Sequence, residues 1–426
     1  MPTVYGIQPQ FGNAEPGNVP AGGGKLEEEN PTAMTRLSFY NGRIVLADRL
    51  LDDGRVDVAG ERIVSVGKGG VGDGEPVDLH GGYLAPGYID LHVHGGAGAD
   101  FMDGTEEAFR TVCAAHARHG TTALLPTTTV ARHEQHMAFL ETCRKLRQEG
   151  TGSARLLGAH FYGPYFAREA RGCHPEAPCR SPQPEEYQQY LEFADCIATA
   201  TVAPELPGAE AFVRACRSKG IRCNAGHTYA TFEQMQLALQ WGIRHVDHLF
   251  CAMSDRARLR QTQTYPMRGG VVEATLFFDE LTTEVIADGK HLQRELLQVA
   301  YKFKGPDRLA LVTDCNRALD MPDGEYIFGP RDGGERILRR DGVGIMPDGL
   351  ALASGVEGMD HMVRTFHALT KVPLVEVVRM ASLTPARIAG CDKETGSIEA
   401  GKLADLVVLD SDLNVQQVYV GGKRLD

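Results

Sequence analysis

The sequence predicts an α/β fold, a (β/α)₈ TIM-type barrel that carries a small β-sandwich domain formed by the N- and C-terminal segments. Three observations predict it. Between residues 85 and 390, short apolar runs alternate with stretches of helical periodicity. The two flanking segments, 35–84 and 391–426, instead read as strands broken by Asp and Gly turns. One apolar run after another ends in a histidine or a carboxylate, and in a parallel barrel the chemistry collects at the C-terminal strand ends.

In chain order, residues 1–34 hold Gly, Pro, Asn and Glu with little periodicity and read as a flexible N-terminal tail. Segments 43–46, 55–58 and 62–66 then read as short antiparallel strands. Their expected complement lies at the far end of the chain, in strands over 405–410 and 415–422. Two β-rich ends around one long middle predict a single small domain drawn from both termini. Within the middle, candidate strands fall at 88–94, 121–127, 155–161, 197–203, 221–227, 243–249, 283–287 and 308–314. Helices are expected over 105–119, 133–148, 209–219, 231–241 and 294–301, with Thr231 as an N-cap.

Composition bounds the function. The chain has 426 residues and a net charge of −12 with no basic block, which argues against nucleic acid or an anionic membrane as the main partner. No run approaches the ~18 apolar residues of a membrane span, and no basic-then-apolar leader is visible. The ten cysteines lack a C-x-x-C pair and read as reduced thiols of a cytoplasmic protein.

The candidate site starts at His92-Val93-His94, where two histidines two apart on a strand share one face. Side by side on a rigid element they make half of a metal site. His160, Glu205, His227, His248, His291 and Asp314 follow at or just past later strand ends. Core filling does not account for that series, and it points to metal-dependent hydrolysis. His116, His119, His133 and His136 sit on predicted helices and are expected at the surface. Cys173, His174 and Cys179 lie in one loop without a fourth metal ligand and read as ordinary residues.

Many ordered segments carry a resemblance. They include Ala85-Pro86-Gly87-Tyr88-Ile89-Asp90, Gly120-Thr121-Thr122, Gly226-His227-Thr228, His248-Leu249-Phe250, Ala287-Asp288-Gly289-Lys290-His291 and Leu311-Val312-Thr313-Asp314. Gly396-Ser397-Ile398-Glu399-Ala400-Gly401-Lys402-Leu403-Ala404-Asp405 closes the series. Over about residues 36 to 425 the chain resembles the amidohydrolase superfamily, and within it the N-acetylglucosamine-6-phosphate deacetylase family.

The resemblance implies removal of acetate from an N-acetylated amino sugar, with N-acetylglucosamine 6-phosphate as first candidate. It implies His227 and His248 as metal ligands, and Asp314 as general base toward water and then acid toward the leaving amine. It also implies His291 beside the scissile amide, His174 near the substrate, and a homodimer. A related enzyme for another N-acyl sugar or cyclic amide, and a catalytically silent sugar-phosphate-binding protein, are the alternatives.

Two departures from the family pattern shape the expected site. The family's His-Leu-Glu-Gly-Pro reads His160-Phe161-Tyr162-Gly163-Pro164, so Tyr162 stands where a ligating Glu is usual. A phenol with pKa near ~10 is a poor substitute for a carboxylate. His92, His94, His227 and Asp314 then match the ligand set of the superfamily's single-metal members, with Zn²⁺ first among divalent candidates. His248 would ligate or bond the water. At the phosphate end, the family's Asn is Cys251, leaving backbone N–H groups at Cys251 and Ala252 as an anion cradle. Arg268 is displaced by one position from the family's arginine, and Arg317 and Arg171 are further sources of positive charge.

Overall fold

Parallel strands form the centre of the molecule. A computed structural model describes residues 35–262 and 265–425, so the expectation of a flexible tail over 1–34 lies outside the described residues. The central strands are β1 (Tyr88–Val93), β2 (Thr121–Pro126), β3 (Ala159–Phe161), β4 (Ile197–Val202), β5 (Arg222–Ala225), β6 (His245–Val246), β7 (Thr282–Ile286) and β8 (Leu309–Val312). β1 pairs with β2, and β3 to β8 pair in sequence, all parallel. The Thr127–His160 bridge joins β2 to β3, and the Val93–Cys315 bridge brings β8 back to β1. There, Asp314 N–H donates to His92 O and His94 N–H to Cys315 O, each at 2.9 Å. The result is a curled parallel sheet.

These strands are buried on both faces because helices cover the outside. All six residues of β1 and all six of β2 are buried. The helices lie close to their sequence-predicted spans. Glu106–Arg118 starts at Thr105, whose hydroxyl caps Ala108 N at 3.2 Å. Phe232–Trp241 starts at Thr231, capping Gln234 N at 3.3 Å. Their apolar stripes join one continuous core with the strands.

The ends of the described chain meet in one eight-stranded sheet. Leu406–Leu409 runs antiparallel to Tyr83–Pro86, which continues into Arg36–Val45 and Leu50–Ala59. A separate apolar cluster that includes Phe39, Ile44, Val56, Leu84 and Leu406 lies in this sheet, with Phe39 edge-on to Tyr419 at 5.0 Å.

Three features differ from the sequence reading. The strand expected over 155–161 is two pieces. Arg155–Leu156 pairs with β2, and β3 pairs with β4. Gly158 separates them at φ +135°, a conformation open to glycine. A three-stranded antiparallel sheet, Gly324–Phe328, Glu335–Arg340 and Val343–Ile345, also stands beyond the end of β8. Finally, two of the four histidines expected on helix surfaces are not there. His116 and His136 are fully buried, with Nε2 against Gly95 O at 3.0 Å and Thr129 O at 2.8 Å. Carbonyls of the adjoining loops give these imidazoles the partners that burial demands.

Candidate metal and catalytic site

The end of β1 carries His92 and His94 to the centre of the strand ends, both within 1% of full burial. Asp314 comes from the turn after β8. His94 Nε2 stands 3.2 Å and His92 Nε2 3.6 Å from Asp314 Oδ1. His92 Nδ1 lies 2.7 Å from Glu284 Oε1 in β7. A carboxylate can only accept there, so Nδ1 is the donor and Nε2 is the ring nitrogen that faces Asp314. Burial raises a carboxyl's pKa, but His92, His94 and then His248 outweigh it and hold Asp314 well below the usual range. Asp314 is therefore an anion at neutral pH.

Strained backbone gathers at the same place. His227, His248, Phe250, Ala252 and Asp314 all have positive φ, from 21° to 77°. Non-glycine residues hold such angles where surrounding structure over-determines them, and such positions cluster at functional sites. Ahead of His227, Gly226 is required. A Cβ there would fall 2.4 Å from Asp247 Oδ2.

His227 Nδ1 lies 2.7 Å from Ala170 O, so it donates and leaves Nε2 as an acceptor. The ring stacks on Phe166 at 4.3 Å. Burial, then repulsion from His248, keeps it neutral by lowering its pKa well below the ordinary value. His248 is committed differently. The Tyr162 hydroxyl lies 2.5 Å from His248 Nε2. Burial, then the nearby Asp314, Asp247 and Glu284 charges, push the phenol's pKa well up. The neutral phenol therefore donates to Nε2 and occupies its lone pair.

A cavity of about 410 Å³ opens over these groups. His94, Tyr162, His174, His227, His248, Cys251, Ala252, His291 and Asp314 all line it. His291 Nδ1 pairs with Asp288 Oδ2 at 2.7 Å, and Asp288 also accepts from the Lys290 and His291 amides at 2.8 Å each. Burial alone would lower the His291 pKa, but the Asp288 bond and charge raise it. His174 Nδ1 accepts from Val130 N–H at 3.3 Å, which puts its proton on Nε2.

The expected anion cradle is only partly present. The Cys251 N–H is engaged with His248 O at 3.0 Å. Arg268 is exposed and outside the cavity lining, where Arg171 and Arg258 stand instead. Arg317 is spent on Asp103 and on the carbonyls of Gly98, Ile327 and Gly329. Glu205 accepts from Thr228 Oγ1 and from Tyr229 N–H, holding the turn after β5, and does not line this cavity. Sequence reasoning missed Glu284, Arg258, Tyr229 and Phe328. For Glu284 the signal is a lone acid inside the short buried strand Thr282–Ile286. Tyr229 lies in a loop, and for Arg258 in the helix Arg256–Thr262 and Phe328 at the end of the strand Gly324–Phe328 no periodicity marks the approach to the cavity.

The residues present fit a divalent cation. Ligand atoms of His92, His94 and Asp314 lie within 4.8 Å of one another, all three residues buried. His92 Nε2 has no hydrogen-bond partner, although an orphaned buried polar atom is costly. His94 Nδ1 also has none. A carboxylate behind the ligating imidazole, as Glu284 stands behind His92, is a recurrent support of metal-binding histidine. His227 and His248, expected as ligands, line the same cavity but fall outside this tight group.

Comparison with known proteins identifies relatives over most of the chain. Residues 83–425 match the model of the amidohydrolase family. The chain is 33% identical over 349 residues to an N-acetylglucosamine-6-phosphate deacetylase of Vibrio furnissii, covering 82% of this chain and 83% of that protein. It is likewise 33% identical over 341 residues to an N-acetylgalactosamine-6-phosphate deacetylase of Escherichia coli O157:H7, covering 80% and 87%. The crystal structure of N-acetylglucosamine-6-phosphate deacetylase from Pasteurella multocida superposes with a TM-score of 0.85 at 29% identity, covering 92% of this chain and 99% of that one.

Proposed function

This chain belongs to the amidohydrolase family, and we propose that it hydrolyses the acetamide of an N-acetylated amino-sugar phosphate, N-acetylglucosamine 6-phosphate first. One observation carries the reading. An anionic Asp314 faces two buried histidines, and with His94 it lines a cavity of about 410 Å³, in a chain whose relatives are named for that reaction. We take the curled sheet as an eight-stranded barrel and the sheet built from both chain ends as part of a small β-sandwich domain.

His92, His94, Asp314 and, with a small approach, His227 would hold one divalent cation, for which Zn²⁺ suits an imidazole-rich set. Such a cation would polarise the acetyl carbonyl and make water acidic enough to attack at neutral pH. Asp314 accepts the proton of the attacking water and returns it to the amine as the C–N bond breaks, which turns a poor leaving group into a neutral one. His291, fixed by Asp288, and His174, with its Nε2–H turned from Val130, orient the amide by hydrogen bonds. Tyr162 holds His248 in place. Arg171 and Arg258 stand at the cavity lining, where a phosphate would find positive charge.

The 33% identity to an N-acetylgalactosamine-6-phosphate deacetylase favours a second reading, the epimeric sugar phosphate. A homodimer in the cytoplasm accords with the family and with ten free thiols.

Metal analysis with acetate release from N-acetylglucosamine 6-phosphate, its galacto epimer and both unphosphorylated sugars tests the proposal. Acetate release that a chelator abolishes and Zn²⁺ restores is expected, with a higher kcat/KM for one phosphorylated sugar. Metal-loaded protein that binds these sugars and releases no acetate would make it a silent binder. Equal kcat/KM with and without the phosphate would remove the phosphate from the substrate.

A further inference from the structure

Glu284 is a buried acid that the reaction above leaves unused. It lies in β7, 1% exposed, among Thr283, Val285 and Ile286. A carboxylate out of water is strongly disfavoured unless partners match its charge. Here the partners are specific. Oε1 accepts from His92 Nδ1 at 2.7 Å and from the His248 backbone N–H at 3.3 Å. Oε2 pairs with His245 Nε2 at 3.1 Å. Its own backbone carbonyl accepts from Leu249 N–H at 2.8 Å.

One residue thus reaches two separate strand ends. At β1 it makes His92 Nδ1 the donor, which turns Nε2 toward Asp314, where it has no hydrogen-bond partner. At the turn after β6 it holds the backbone of His248, which sits at φ +21°. His245 supports it from behind, with Nδ1 2.8 Å from the Thr282 hydroxyl.

We propose that Glu284 is a positioning residue that locks the His92 tautomer and the His248 turn together, so that the histidine cluster is already arranged when a divalent cation arrives. The inference rests on the metal-dependent reading of the site. It predicts that Glu284 governs cation affinity itself, whereas a residue that only fills the core would govern folding alone.

The test compares wild type, Glu284→Gln and Glu284→Asp. Gln keeps the volume and an acceptor but loses the charge; Asp keeps the charge but withdraws it from His92. The readouts are Zn²⁺ affinity by competition with a chelating dye, the visible spectrum of the Co²⁺-loaded protein, and thermal unfolding of the metal-free protein. Supporting partners of this kind set affinity by about 10–100-fold. E284Q should weaken Zn²⁺ binding by that factor and alter the Co²⁺ band. If E284Q does not fold, E284D takes its place, with the same loss of affinity expected. A lowered melting temperature with unchanged affinity and Co²⁺ spectrum overturns the positioning role. Wild-type protein that takes up neither ion overturns the metal reading itself, a separate result.

Discussion

Asp314 is the residue on which the chemistry turns. Its charge is kept by three imidazoles, and its backbone is fixed on both sides: its amide bonds His92 O, and its carbonyl accepts from Gly355 N–H at 2.8 Å. Asp314→Asn keeps that shape and removes the proton acceptor. We expect kcat to fall by about 10²–10⁴-fold, the usual range for a positioned acid–base group, with the melting temperature little changed; acetate release and a thermal scan read both. A kcat within a factor of two of wild type would remove Asp314 from proton transfer. Its sequence signal was Val312-Thr313-Asp314 at a strand end. Tyr162 shows the opposite case. Its departure from the family pattern was legible as a lost carboxylate, but not its partner. Only the fold brings the hydroxyl to His248, 86 positions away.

At the scale of elements, helices were the most legible. Thr105 and Thr231 mark their starts, because a Ser/Thr oxygen before an amphipathic run satisfies an amide the helix leaves open. The third strand was misread as continuous, since Leu156, Leu157, Ala159 and Phe161 are all apolar and periodicity does not register a break at one glycine. Gly158 hands the chain from β2 pairing to β4 pairing. A Cβ there would sit 2.9 Å from Ala198 Cβ and 2.9 Å from Cys196 O. Gly158→Ala combines a clash with backbone against an unfavourable φ, and should cost about 1–3 kcal/mol. Urea denaturation checks it; an unchanged midpoint would mean the two half-strands shift without strain.

At the scale of the whole molecule, distant segments are tied by buried or half-buried charges. Asp405 from the C-terminal part pairs with Arg155 and accepts from Gly421 N–H at 2.9 Å and Thr395 Oγ1 at 2.7 Å. His119, at the end of the helix Glu106–Arg118, bridges Asp320 and Asp360, each at 2.9 Å. Burial would lower its pKa, but those two carboxylates outweigh it and raise it from 6.5 to about 9. A raised folded-state pKa stabilises fully below the unfolded value and is lost as pH climbs through the folded one. Wild type should therefore lose on the order of 3 kcal/mol between about pH 6.5 and pH 9 from this group. His119→Gln should show a flatter profile across that window in urea titrations. Parallel profiles would mean the clamp adds nothing.

The sequence by itself determined the alternation of strands and helices, the meeting of two β-rich ends, and the set of histidines and Asp314 at strand ends. Those are local matters of periodicity, capping and residue type, and they survive without knowledge of contacts. The tertiary structure decided which of those side chains face one another. It drew His92, His94 and Asp314 into one group, committed His248 to Tyr162, left Arg268 outside the cavity and buried His116 and His136. It also placed Glu284 behind His92. Each outcome depends on how the curled sheet brings β1, β7 and β8 side by side and on how loops cross their ends, and neither is written in the spacing of residues along the chain.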